Sequence, residues 1–168
     1  MGFNLTDQRI TSYLTFKLGE EEFAVHVSKV LNILEMADIT KVPRTPDYLM
    51  GVINLRGSVL PVVDTRLKLG MSPTLVDKNT CIVVMEMYLD GEKNHIGGLV
   101  DQVEAVHEIS EQQILQAPDL VRGINSNLLH GMTHIDDQFI MVLDIEQVLV
   151  SEELREISSE RRFAESQY

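Results

Sequence analysis

The chain has 168 residues, of which 44% are apolar and 24% are charged, and its formal net charge at pH 7 is −12. A chain of this length buries roughly 70% of its unfolded surface, so it can build a hydrophobic core without disulfides or metals. The acidic balance argues against nucleic acid and anionic lipid as partners, because both attract basic surfaces, and no apolar run reaches the ~18 residues that a membrane span requires.

The first part of the chain is predicted to consist of short strands. Residues 1–11 are expected to form a flexible N-terminus. Apolar and polar residues alternate over 13–18, which predicts a half-buried strand, and a polar turn leads to a second strand over 23–27. The apolar residues between 27 and 34 have helix-like spacing and predict a helical turn. A short extended segment follows over 39–43.

A short helix, a hairpin and a second short helix are predicted next. The segment 45–51 has threonine and proline at its start and glycine at its end, which is typical of a short helix. The segment GVINLRGSVLPVVD, residues 51–64, predicts a β-hairpin with Arg56 at its tip. Pro61 cannot donate a hydrogen bond to a sheet, so its strand is expected to be an edge or to carry a bulge. Asp64 is then expected to cap the second helix.

The same kinds of element return after a polar link. Strands are predicted over 80–88 and 95–106, and Cys81 lies in the first of them, where a buried, unreactive thiol is expected. A capping box beginning at Ser110 predicts a further short helix. Residues 151–168 are expected to form a C-terminal helix and a polar tail.

The chain contains a thin internal repeat. Residues 49–69 align with residues 129–149 at an offset of 80, and five of the aligned positions are identical. An earlier block aligns at an offset of 73, with Val27 and Val30 over Val100 and Val103. Two copies with roughly five short strands each predict two small β-barrels packed together, over about 13–80 and 81–150.

The repeat makes Arg56 a candidate contact residue. Arg56-Gly57 aligns with Asp136-Asp137, so the apolar pattern of the hairpin is kept while the charge at its tip is reversed. A purely structural requirement would favour the same chemistry at both tips. The alternative is that an exposed tip tolerates almost any polar residue.

The sequence contains no recognisable catalytic constellation and none of the common nucleophile or phosphate-binding motifs. His130 and His134 have the spacing of metal ligands, but Gly131 between them is a poor helix former, so their side chains need not share a face. Asp64 and Asp144 each fall where a strand ends, which favours helix capping over acid–base chemistry. Three classes stay open: a protein-binding adaptor, an enzyme with an unrecognised site, and a small-molecule sensor with a pocket between the barrels.

Four blocks of the sequence carry a resemblance to a known family. They are LGEEEFAV at 18–25, GVINLRGSVLPVVD at 51–64, GLVDQV at 98–103 and ILQAP at 114–118. In order and spacing they resemble the CheW family, the coupling proteins of bacterial chemotaxis. The resemblance extends from about Tyr13 to Leu154, which is nearly the whole chain.

The resemblance implies a mainly β fold, in which one domain over residues 12–150 consists of two intertwined SH3-like five-stranded β-barrels packed on a shared apolar interface. It implies no catalytic activity, no cofactor and no metal. It further implies an adaptor that couples the cytoplasmic tips of methyl-accepting chemoreceptors to the regulatory domain of the histidine kinase CheA. Such a protein acts in the cytoplasm, at receptor arrays on the inner face of the membrane and without inserting into it, where copies of the adaptor can also contact one another.

Two alternatives to this function remain at the level of the sequence. One is a coupling protein of a related pathway, such as twitching motility. The other is a module that senses a small molecule in the groove between the barrels.

By the same resemblance, a receptor tip is expected to lie in an apolar groove between the barrels, beside Arg56. The positions that match the groove are Leu14, Val27, Val30, Ile33, Val100 and Val103. Arg56 is expected to donate charge-assisted hydrogen bonds to receptor oxygens and so to fix the register of binding. The alternative is that the valines are core residues between the barrels.

The resemblance also implies two kinase contacts. One lies near Ile39 and Val42 on the first barrel, and the other lies along a later segment of the second. Some relatives carry arginine, glutamate and phenylalanine in that segment, where this chain has Leu115, Asp119 and Leu120. The acidic residue is retained, but the base and the aromatic ring are absent, so this contact departs from the family pattern.

Overall fold

The computed structural model describes residues 10–116 and 128–149. Within them the strands are β1 (Ile10–Leu18), β2 (Glu21–His26), β3 (Val30–Glu35), β4 (Leu49–Leu55), β5 (Ser58–Asp64), β6 (Cys81–Leu89), β7 (Glu92–Val100), β8 (Gln102–Ser110), β9 (Leu129–Ile135) and β10 (Gln138–Leu143). The helices α1 (Thr65–Lys68) and α2 (Ile145–Leu149) and the 3-10 turns Val27–Lys29 and Glu111–Gln113 are short. None of the helices in these two stretches is long and apolar enough to cross a membrane.

The described strands form two five-stranded sheets. Their strand orders become the same when each strand is replaced by its equivalent in the other copy of the internal repeat. Sheet 1 has the order β8-β1-β2-β10-β9, and sheet 2 has the order β3-β6-β7-β5-β4. The chain crosses from sheet 1 to sheet 2 after β2 and returns after β7. The predicted mainly β fold with two five-stranded units is therefore confirmed. The expected spans of about 13–80 and 81–150 do not coincide with the sheets, because each sheet takes strands from both copies of the repeat.

Buried apolar side chains form three clusters. The central cluster contains residues of both sheets, such as Phe16 of β1 and Met85 of β6. Sheet 2 has its own cluster around Leu60, and sheet 1 has one around Ile140. A strand such as β6 contributes alternate residues to two clusters, because successive side chains point to opposite faces. The predicted shared apolar interface is confirmed.

The predicted hairpin over 51–64 is confirmed as β4 and β5. At its tip Arg56 and Gly57 have φ of 52° and 83°, and the equivalent Asp136 and Asp137 have φ of 50° and 62°. Two consecutive residues with positive φ form the tight turn that matches the twist of paired strands. Both copies of the repeat thus have the same backbone at this tip and opposite charges on it.

The predicted helix over 45–51 is wrong, because β4 begins at Leu49. Gly51 does not end a helix but lies where residues 39–40 run close beside β4, with Thr40 bridged to Val52. A Cβ there would lie 2.8 Å from Ile39 Cγ2 and would collide with the carbonyl oxygen of Thr40. The helix-like spacing after Val27 gives only a 3-10 turn, since the residues from Val30 onward pair with β6 as a strand.

Two further details of the sheets differ from the predictions. The single strand predicted over 95–106 is two strands, which are separated at Asp101 where the chain returns to sheet 1. Pro61 lies in an interior strand rather than at an edge, between β7 and β4. The pairing of β5 with β7 begins only at Val62, so the missing N–H of Pro61 removes no hydrogen bond from that pairing.

The predicted caps are present. The Asp64 carboxylate accepts a hydrogen bond from the backbone N–H of Arg66 at 3.1 Å, and Asp144 accepts one from Gln147 at 3.4 Å. In the capping box the N–H of Ser110 donates to the Gln113 side chain at 2.8 Å, although the element that follows is a 3-10 turn. The C-terminal helix predicted within 151–168 lies outside the described residues.

Candidate functional site

Apolar side chains of both sheets border the central cluster where the chain crosses between the sheets. We call four of them, Val27, Val30, Ile33 and Val103, the seam. Val30 and Ile33 pair with central-cluster residues of β6, and Val103 pairs with one of β1. The three valines are half-buried against the cluster, and Ile33 is 42% exposed. The seam is therefore an apolar strip that solvent reaches on one side.

Leu14 and Val100 do not belong to this accessible strip. They are 4% and 0% exposed and are members of the central cluster. Leu14 lies on β1, which has neighbours on both sides, and Val100 is paired with Cys81 of β6. The expectation that these two residues line a groove is thus corrected: they are core residues that a partner could contact only after a rearrangement.

Arg56 is exposed at the tip of the β4–β5 hairpin and contributes to a different surface from the seam. It lines a pocket of about 320 Å³ with Leu31 and Asn32 of β3. No ion pair joins its guanidinium to another residue within 10–116 or 128–149. The tip is held by the N–H of Gly57, which donates to the Asn54 side chain at 2.9 Å. Arg56 is therefore at the tip of an ordered turn, has no acidic partner among the described residues and lies beside the apolar side chain of Leu31.

The edge strand β3 connects these two surfaces. Its register against β6 shifts between Val30 and Asn32, so Leu31 is the extra residue of a bulge. Leu31 is 49% exposed and lies on the Arg56 side. Val30 packs on the central cluster, and Ile33 is paired with Val83 of that cluster. The apolar spacing of this stretch predicts a helical turn and therefore does not single out Leu31 or Asn32. A strand assignment would have separated the two faces.

The expected kinase-contact residues that the structure describes lie on two equivalent segments. One, around residues 39–42, runs antiparallel beside β4, and the other, around Leu115, runs antiparallel beside β9; we call these two segments the crossings. Thr40, next to Ile39, forms a bridge with Val52 of β4, and Leu115 forms the matching bridge with Met132 of β9. Ile39 is half-buried against the sheet 2 cluster.

The two crossings differ in what they expose. Val42 is half-buried in a pocket of about 300 Å³ that Lys41 and Met50 also line. Leu115 is 65% exposed. Asp119 and Leu120 lie outside the described residues.

The second hairpin tip differs in chemistry from the first. Phe139 is 63% exposed, and its ring centroid lies 4.8 Å from that of His134. The His134 ring thus packs against the ring of Phe139, whereas His130 lines a pocket with Tyr13 and His26. The part of the chain that the structure describes contains no group of three or more histidine, cysteine or acidic side chains that could hold a metal ion.

Cys81 is half-buried beside the seam. Burial raises the pKa of its thiol, and a hydrogen bond with the backbone of Val103 opposes this effect only in part. The thiol is therefore neutral at physiological pH, as expected for an unreactive cysteine.

Comparisons with known proteins agree with this architecture. The model of the CheW-like domain matches residues 12–153. The chemotaxis protein CheW of Klebsiella aerogenes is 32% identical over 142 residues, which cover 84% of this chain and 83% of that protein. The chemotaxis protein CheW of Helicobacter pylori is 29% identical over 144 residues, covering 85% and 84%.

A solved structure has the same fold. The scaffolding protein TtCheW from Thermoanaerobacter tengcongensis superposes with a TM-score of 0.75 and 28% sequence identity, covering 86% of this chain and 90% of that one. The two-sheet fold and the family match together define a CheW-like domain. The chain belongs to the CheW family.

Proposed function

We propose that this protein is a non-catalytic adaptor of bacterial chemotaxis, which couples chemoreceptors to the regulatory domain of a CheA-type histidine kinase in the cytoplasm. The relatives that support this proposal are chemotaxis proteins, and TtCheW is a scaffolding protein. The observation that carries the proposal is the adjacency of the seam and the unneutralised Arg56 across one edge strand.

The receptor contact is proposed to lie along β3. The seam offers apolar burial, at about 25 cal/mol per Å² of surface removed from water. Leu31 and Arg56 extend this surface on the other side of the strand. An Arg56 guanidinium that lacks an acidic neighbour among the described residues can donate charge-assisted hydrogen bonds, worth about 1.5–3 kcal/mol each, to receptor carboxylates or carbonyls.

The internal repeat supports the assignment of this contact to the Arg56 side. Glu104 occupies the bulge position equivalent to Leu31, and it is engaged with Lys17 at 3.7 Å. Asp136 occupies the tip position equivalent to Arg56. The two edges of the molecule are thus alike in backbone and opposite in chemistry, so a partner with acidic and apolar groups fits only one of them.

The kinase contacts are proposed at the two equivalent crossings, near Ile39 and Val42 in one sheet and around Leu115 in the other. An exposed leucine supports an apolar contact at Leu115, in place of the base and aromatic ring that some relatives carry. Two contacts on opposite sheets would leave β3 available to the receptor.

The proposal is tested by a binding assay with the full chain, a cytoplasmic receptor fragment and a kinase regulatory domain. Arg56→Glu is expected to weaken receptor binding about 10- to 100-fold, because a charge-assisted hydrogen bond is lost. Kinase binding should be unchanged. Lys78→Glu, which makes the same charge change at another exposed residue, is the matched control. Equal loss in both variants, or no binding of either partner by the wild type, would contradict the proposal.

A second pair of variants tests the seam. Ile33→Asp places a carboxylate at a 42% exposed position on β3, and Val106→Asp does the same at the equivalent, 59% exposed position on β8. We expect the first variant to lose receptor binding at least about tenfold and the second to keep it, since a carboxylate buried without a partner costs more than 1.4 kcal/mol. The opposite result would move the receptor contact to the β8 edge.

A further inference from the structure

A pocket with several charged lining residues lies next to the seam, since His26 and Ser28, the chain neighbours of Val27, both line it. It measures about 320 Å³ and opens between the end of β2, the 3-10 turn that follows, and the junction of β10 with α2. None of the proposed receptor or kinase residues lines it. Its charged lining residues are Lys29, Glu111, Asp144 and Glu146.

The pocket has an excess of negative charge. Three carboxylates face one ammonium group, and Lys29 pairs with Glu146 at 2.7 Å. Neither Glu111 nor Asp144 forms an ion pair with any residue that the structure describes. A cation that enters the pocket therefore meets two carboxylates that no base neutralises.

The internal repeat indicates what Asp144 lacks. The equivalent Asp64 is 1% exposed and accepts three hydrogen bonds, one from the N–H of Arg66 and two from Thr74, at 3.0 Å and 2.8 Å. Asp144 is half-buried, and within the described residues its carboxylate accepts a single hydrogen bond, of 3.4 Å, from the N–H of Gln147. A carboxylate can accept about four hydrogen bonds, so Asp144 retains capacity that Thr74 fills in the other copy.

A second polar group, the Tyr13 hydroxyl, opens on the pocket. Tyr13 is 3% exposed and lines the pocket. Its ring packs edge-on against that of His26, at 5.2 Å between centroids. Within the described residues its hydroxyl makes no hydrogen bond. The hydroxyl is not among the fully buried polar atoms that lack a partner. It is therefore open to the pocket, where a group that enters can form the hydrogen bond that the described residues do not supply.

We propose that this pocket binds a guanidinium group, whose N–H donors satisfy Asp144 and the Tyr13 hydroxyl. The positive charge of the group offsets the excess negative charge of the carboxylates that line the pocket. Its planar fork of N–H donors matches a carboxylate better than a single ammonium does. The group comes either from a small molecule or from an arginine side chain of a protein partner, and the chemistry of the pocket is the same for both.

The test is a titration of the full ¹⁵N-labelled chain, followed by the amide NMR signals of residues around the pocket. The two probes are agmatine, a small guanidine, and N-acetyl-arginine methylamide, which imitates an arginine within a peptide. N-acetyl-glutamate methylamide is the ligand of opposite charge. We expect saturable shifts at Ser28 and Lys29 with a guanidine probe and none with the glutamate derivative.

Two variants locate the binding. Asp144→Asn keeps a side chain that caps helices well, and Tyr13→Phe removes only the hydroxyl, so both should fold. Each is expected to weaken guanidine binding at least about fivefold, the loss of one hydrogen bond of about 1 kcal/mol. Asp137→Asn makes the same charge change at the exposed hairpin tip and should have no effect.

The outcomes separate the sources and can overturn the proposal. Binding of agmatine alone assigns the pocket to a small molecule, whereas binding of the blocked arginine assigns it to a side chain of a partner. The absence of saturable shifts with both guanidines refutes the site. Equal weakening by Asp137→Asn refutes it as well, because the attraction would then be a general effect of the acidic surface.

Discussion

Thr65 carries a hydroxyl that should reduce the stability of the protein. It is the first residue of α1 and is 0% exposed, and its Oγ1 has no hydrogen-bond partner in the structure. A Cβ on Gly98 would lie 3.0 Å from this oxygen, so the hydroxyl packs closely against β7. The equivalent position in the other copy of the repeat is Ile145, which is apolar and 3% exposed.

The expected effect of Thr65→Val follows from this geometry. A buried, unpaired polar group costs about 1–3 kcal/mol, and valine has the same shape and similar helix propensity. We therefore expect Thr65→Val to raise the free energy of unfolding by about 1–2 kcal/mol. For a chain of this size each 1 kcal/mol corresponds to about 2–4 °C in Tm. The measurement is urea denaturation followed by circular dichroism, together with a thermal scan.

Thr15→Val is the matched control. Thr15 is also 0% exposed, but its hydroxyl donates to the carbonyl oxygen of Ala105 at 3.1 Å. The same substitution should therefore lower the free energy of unfolding there, by about 0.5–1.5 kcal/mol. The predicted sign is opposite at two equally buried threonines, so general effects of valine cannot produce the result. If Thr65→Val destabilises the protein as much as Thr15→Val does, the reasoning is refuted.

Three further predictions concern the crossings, an ion pair and the thiol. Gly131→Ala would put a Cβ 2.7 Å from the Leu115 carbonyl oxygen, so chemical denaturation should show a loss of about 1–3 kcal/mol; an unchanged midpoint would mean that the crossing shifts freely. Asp101→Ala removes the partner of Arg66 at 3.0 Å and an acceptor of the Gly19 N–H, so the same measurement should show a loss of about 1–3 kcal/mol; Asp38→Ala at an exposed position should change it far less. Because burial raises the pKa of the Cys81 thiol, the native chain should alkylate more slowly than the urea-unfolded chain near the ordinary thiol pKa. Unfolding free energy should also fall as the pH rises through that range, because the unfolded chain ionises first; coincident pH–rate profiles for native and unfolded protein would contradict this.

Local signals in the sequence predict much of the fold. The hairpin over 51–64 is specified by two apolar runs around Arg56-Gly57, and its copy follows at the offset of the repeat. The cap at Asp64 depends on neighbouring residues alone. These predictions hold because the interactions that decide them lie within a few positions along the chain.

The wrong predictions concern places where distant contacts override local preference. The segment 45–51 has residues typical of a helix, but Gly51 is needed because Thr40 crosses β4 at that point. The apolar spacing after Val27 is compatible with a helix, but pairing with β6, some fifty residues further along, makes it a strand. No residue pattern within either segment indicates which distant part of the chain it contacts.

The assignment of strands to sheets also explains why the seam is a suitable place for a partner. The chain passes between the sheets at Val27–Lys29 and again at Asp101. Val27, Val30 and Val103 flank these passages and pack on the cluster that both sheets share. A partner that binds there contacts residues anchored in both sheets, whereas a partner on β4 or β9 contacts one. The seam is therefore the site at which a bound partner could alter how the two sheets pack.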